Sequence, residues 1–150
     1  MARPLTETPA DRCTAYRRLG WRVVLDGHDQ IILPADTVHA IQVCSKLADL
    51  VLDMLGHSRV STPIVDNVAT GTRTFLTTPP KPSDTRAVRL FPPTSRVQAI
   101  RTVTGSPIPL PTPGDNSRVW LAEPRPDSLA DFELLISMTL DAARAALHVA

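Results

Sequence analysis

The sequence predicts an α+β fold, a mostly antiparallel sheet of five to seven strands flanked by three helices, the last of them long. Three observations predict it. Two β-rich runs bracket an Asp-Gly turn at residues 26–29. Two other stretches repeat apolar residues at helical spacing. Hydrophobic residues make up 43% of 150, enough for a real core, while aromatics are only 4%, so that core must be built from Leu, Val, Ile and Ala.

The elements follow in order. Residues 9–19 read as a helix: Thr8 is the N-cap, Pro9 fits the first position, Asp11 suits the positive end of the dipole, and Gly20 stops it. Trp21–Leu25 and Gln30–Leu33 form the hairpin around Asp26-Gly27-His28-Asp29. Residues 38–43 alternate as a third strand. Ser45 then caps a second helix carrying Leu47, Leu50, Val51, Met54 and Leu55, ended by Gly56. Pro63-Ile-Val and Thr74–Thr78 are short strands parted by a turn at residues 69–71.

Proline shapes what comes next. Eleven of the 15 prolines lie between Pro79 and Pro126, a connecting region that cannot be helical or central in a sheet, because proline donates no ladder hydrogen bond. Residues 88–91 and 97–103 read as edge strands, and residues 106–113 as an extended loop laid across a sheet. Residues 118–121 form a last strand. A helix over residues 128–147 then repeats Leu129, Phe132, Leu135, Ile136, Leu140, Ala143 and Leu147 on one face. The expected core joins Trp21, Val23, Ile32, Ile41, Leu47, Leu50, Leu76, Leu135 and Leu140 in one contiguous cluster. The whole chain, residues 1–150, reads as a single domain.

Composition narrows the function classes. No apolar run approaches the length a membrane span needs, and the first residues lack a signal-peptide core, so the expectation is a soluble cytoplasmic protein with no membrane role. Net charge is +1, which makes no long-range field for nucleic acid. Its distribution is uneven, however. Residues 58–118 hold seven arginines and Lys81 against three aspartates, whereas residues 28–57 and 119–150 are each net acidic. Arg73, Arg86, Arg89, Arg96 and Arg101 are therefore the candidate residues for nucleic-acid or partner binding, since guanidinium groups clasp phosphate and carboxylate bidentately. Alternation along the strands points Arg89 and Arg101 away from the core. The competing expectation is that each arginine pairs with an acidic side chain from the flanking segments.

Other chemistry finds little footing. Cys13 and Cys44 have no CxxC spacing and read as idle thiols. His28, His39, His57 and His148 match no metal-ligand spacing, and no nucleophile elbow, P-loop or dinucleotide fingerprint occurs. Asp66, in Ile64-Val-Asp-Asn-Val, is the one carboxylate placed at a strand end. The expectation is no catalytic residue, no metal and no cofactor.

Three segments carry a resemblance. Tyr16-Arg-Arg-Leu-Gly-Trp-Arg-Val resembles the opening helix and strand of the bifunctional DNA primase/polymerase N-terminal domain. Gly71-Thr-Arg-Thr-Phe-Leu-Thr-Thr-Pro is similar to that family's glycine-histidine strand, and Gly105–Pro113 to its later Gly-to-Pro-Pro segment. The resemblance implies a shortened relative. It departs where the family is catalytic: Asp66 has no acidic partner two positions on, and Arg73 stands at the histidine position. Two-metal phosphoryl transfer needs clustered carboxylates. The resemblance therefore implies a non-catalytic accessory or regulatory protein, with the scaffold kept and the metal site lost, binding nucleic acid or a protein partner through its Arg/Pro-rich middle. The alternative is a protein-interaction module with no nucleic-acid role. The partner's identity and the oligomeric state are left open.

Overall fold

A computed structural model describes residues 6–148, with side chains as far as Leu147; the first five residues and the His148 side chain lie outside it. Three helices and two antiparallel sheets make an α+β fold with a long C-terminal helix. The first helix, α1 (Pro9–Arg18), starts as its sequence dictates: Thr8 Oγ1 accepts from the Asp11 N–H and Asp11 Oδ2 from the Thr8 N–H, each at 3.1 Å. The hairpin follows as β1 (Val24–Leu25) and β2 (Ile31–Pro34), closed by Asp26 Oδ1, which accepts from the His28 and Gln30 N–H groups.

Next come β3 (His39–Val43) and α2 (Ser45–His57). Cys44, not Ser45, occupies the N-cap, with its Sγ accepting from the Gln98 N–H instead of capping the helix. Nor does Gly56 end α2. The helix runs on to His57, and Arg59 takes the left-handed turn at φ 54°. Strands β4 (Ile64–Asn67) and β5 (Arg73–Thr77) form a second hairpin whose Gly71, at φ +74°, passes so close to Ser45 that a Cβ there would sit 3.0 Å from the Ser45 Cβ.

The remaining elements are β6 (Ala99–Arg101), β7 (Pro107–Pro109), β8 (Arg118–Ala122) and α3 (Phe132–His148). Residues 88–91 form no strand of their own. Arg89 makes a single bridge to Ile100, with Leu90 N–H donating to Ala99 O and Arg101 N–H to Val88 O. The expected loop at 106–113 contains a true strand. β7 pairs with β2 through Ser106 O and Leu110 N–H, so the nitrogens of Pro107 and Pro109 face outward, where no donor is needed. The last helix begins at Phe132, four residues later than its apolar pattern suggests. Ala130 is taken by a bridge to Thr77, and Thr62 Oγ1 accepts from the Ala130 N–H and donates to Leu76 O.

The strands order as β1-β2-β7 in one sheet and β6-β3-β5-β4-β8 in the other. The larger sheet is covered on both faces, so there are two cores rather than one. On one face Ile41, Val43, Phe75 and Ile64 meet Leu47 and Val51 of α2 and Phe132, Leu135 and Ile136 of α3. On the other, Ala40, Val65 and Leu76 meet Ile31, Leu33 and Ile108 of the smaller sheet and Cys13 and Tyr16 of α1. Of the expected core, Trp21, Val23, Ile41, Leu47, Leu76 and Leu135 are buried, but split between the two clusters. Ile32, Leu50 and Leu140 are only partly buried: Ile32 alternates to the face of β2 away from Ile31 and Leu33, and Leu50 and Leu140 lie at the margins of their helices' packed faces.

Candidate interaction site at the β6 edge

Antiparallel pairing sets which side chains share a face. Arg101 lies opposite Ile41, whose side chain is in the helix-side core, so Arg101 also points under the helices. This corrects the expectation that it faces outward. Its guanidinium stacks 5.1 Å from the centre of the Phe132 ring, and the residue is 4% exposed. Loop residues 79–86 fold over the sheet end and supply the counter-charge: Asp84 lies 3.2 Å from Arg101 Nη1. Arg101 Nε donates to Thr102 O and Nη1 to Arg86 O.

The network extends outward from there. Arg86 donates to Asp84 Oδ2 at 2.8 Å and grips Glu133 through two nitrogens at 3.0 Å each. Burial alone would raise the Asp84 pKa. The Arg86 N–H, the Arg86 guanidinium and the Arg101 charge outweigh it and hold the carboxyl below its ordinary value. Arg86 is shifted upward, first by its hydrogen bonds to Glu133.

Beside this network a cleft of about 600 Å³ opens at the sheet end, lined by His39, Lys81, Arg101 and Asp36 among others. His39 is buried and lies edge-on to Phe132, with Nδ1 2.9 Å from Thr102 Oγ1. Burial lowers its pKa from 6.5 and Arg101 adds to that, while Thr102 pulls the other way. The imidazole is therefore neutral near pH 7. Sequence reasoning missed His39, Asp84 and Glu133 as a group. Only chain folding brings residues 39, 84 and 133 together.

The five candidate arginines consequently have different fates. Arg73 lies at the opposite end of the same sheet face, 2.6 Å from Asp49 of α2 and 3.8 Å from Asp66. Arg86 and Arg101 share Asp84. Arg89 and Arg96 are exposed and make no ion pair among the described residues. Asp66, the lone strand-end carboxylate, has Arg73 as its neighbour. Among the described residues no three His, Cys, Asp or Glu side chains gather closely enough to hold a metal ion, and no helix is long and apolar enough to cross a membrane.

The other face of β6 is apolar. Ile100 turns away from the helices, and with Val88, Pro107, Ile108 and Pro109 it lines a groove of about 280 Å³ between the two sheets. Val88 and Ile100 are 46% and 39% exposed. The β6 edge thus presents a self-neutralised charged side and an open apolar side. No protein-family model, curated protein or solved structure matches the chain.

Proposed function

We propose that this is a non-catalytic accessory or regulatory protein that engages a protein partner through its Arg/Pro-rich middle, on a scaffold resembling a primase/polymerase domain without its metal site. One observation carries the reading: Arg73, Arg86 and Arg101 already face carboxylates, whereas the groove at Val88, Ile100 and Pro107 is open. A guanidinium held by an internal carboxylate has little left to offer a phosphate. An apolar groove gains from covering with apolar side chains, at roughly 25 cal/mol per Å². The exposed guanidinium of Arg89, whose backbone bridges to Ile100, favours a segment carrying an acidic residue beside its apolar anchor.

A second reading, nucleic-acid binding, draws on the exposed Arg89 and Arg96. One experiment separates the two. Random-peptide libraries are panned on the protein, and binding of a single-stranded oligonucleotide is titrated against salt. The protein-partner reading expects enriched apolar-acidic peptides whose binding is lost in Ile100→Asp and changes little with salt. Oligonucleotide binding that weakens steeply with salt and is lost in R89A/R96A, with no peptide enriched, overturns it.

A further inference from the structure

Among the described residues, three of the four sheet edges are guarded. Pro107 and Pro109 blank the outside of β7, the Val88–Leu90 backbone occupies the outside of β6, and β1 is two residues long. The fourth edge, β8, has five residues in the sequence Arg-Val-Trp-Leu-Ala, with Val119 and Leu121 44% and 45% exposed. Nothing among the described residues covers its outer side, and an open apolar edge strand is a template for pairing with another strand.

We infer that β8 is the contact through which two copies of this chain associate, antiparallel, joining two five-stranded sheets into one. The bulge in β8 makes the strand complementary to itself. Ser117 O accepts from the Val68 N–H, so residues 117 and 119 turn their backbone groups toward β4 and residues 118 and 120 turn theirs outward. Trp120 lies opposite Val65 but Ala122 opposite Ile64, so one extra residue shifts the phase. After it Ala122, opposite Ile64, turns its backbone inward, and Glu123 follows directly at the strand end. Side-chain faces shift equally: Ala122 packs on the helix-side core, while Glu123 shares a pocket with Arg118 and Trp120 on the other face.

A copy centred between Trp120 and Leu121 therefore matches in the pairs that flank the two bulges. Arg118 of one copy faces Glu123 of the other, with both side chains on the same face. Val119 faces Ala122 on the helix side, and Leu121 falls beside Trp120. Each pairing occurs twice, as a twofold axis requires. Arg118 is free to change partners, since its present one, Asp115, is 4.0 Å away. Charge thus selects a second copy over any other strand.

Sedimentation equilibrium and a charge exchange test this. Wild-type protein gives a concentration-dependent mass rising toward twice 16.3 kDa. R118E and E123R each weaken association by about tenfold or more, because like charges then lie directly opposite. The double variant R118E/E123R regains it. Near-ultraviolet circular dichroism confirms that each variant is folded, and Leu121→Lys serves as an independent disruptor. A wild-type monomer throughout the micromolar range, or a dimer indifferent to both R118E and Leu121→Lys, overturns the inference.

Discussion

Arg101 and Asp84 face each other 3.2 Å apart with side chains only 4% and 2% exposed. The pair lies in the wall of the cleft, packed among Phe132, Arg86 and the loop after β5 so that little of either side chain meets water. Attraction within such a pair is offset by the loss of hydration, so its presence says little about net stability. Its disruption is another matter, because one partner is left charged and dry.

Asp84→Asn should therefore destabilise the fold by ~3 kcal/mol, and R101M should cost less when combined with Asp84→Asn than the two changes do separately. Urea unfolding of the four proteins in the cycle measures both. Additive costs would mean that the two side chains do not interact.

His39 supplies a pH dependence with a definite sign. Its folded pKa lies below 6.5, so the unfolded chain binds the proton first as pH falls. Stability is full above about pH 6.5 and declines below it, by at most ~1.4 kcal/mol per pH unit. In His39→Gln the decline around pH 6 should flatten, leaving the carboxylate-dependent loss at lower pH. Chemical denaturation at a series of pH values distinguishes the two profiles.

Tyr16 ties three segments together. Its hydroxyl donates to Pro111 O at 2.7 Å and accepts from Trp120 Nε1 at 3.0 Å. Burial pushes its pKa up to about 12. That raised value favours the folded state up to about pH 10 and the advantage is lost as pH climbs toward 12. Tyr16→Phe strands both partners and should cost about 1–3 kcal/mol at neutral pH, read from thermal unfolding.

Leu135 is fully buried among α2, α3 and the sheet. Leu135→Ala should cost about 2–5 kcal/mol, and Leu140→Ala, on a partly buried position of the same helix, clearly less. Equal costs would mean that the helix packs differently.

Short-range chemistry made much of the fold legible. Thr8-Pro9 with Asp11 specifies a helix start, and Asp26-Gly27 a hairpin, through hydrogen bonds that span four residues or fewer. What escaped depends on distant partners. Nothing near residue 101 says that its strand face will be roofed by Phe132 and supplied with a carboxylate from Asp84. Nothing near Ala130 says that β5 will claim its backbone and delay α3. At Pro107 and Pro109 the missing donors were visible, but not that both would face away from β2. Of the site, the arginine-rich segment was readable as composition. Its division into neutralised and free guanidinium groups was not, because Asp49 and Glu133 lie 24 and 47 positions from the arginines they hold.

The chain's two tryptophans both lie on one side of the larger sheet, with ring centres 6.2 Å apart and Tyr16 against each. Fluorescence consequently samples one layer. Unwinding of α2 and α3 would leave emission almost unmoved while far-ultraviolet ellipticity fell steeply, whereas loss of the shorter α1 would move emission with a smaller fall in ellipticity. Two optical signals thus give each layer its own reporter, without a label or a substitution.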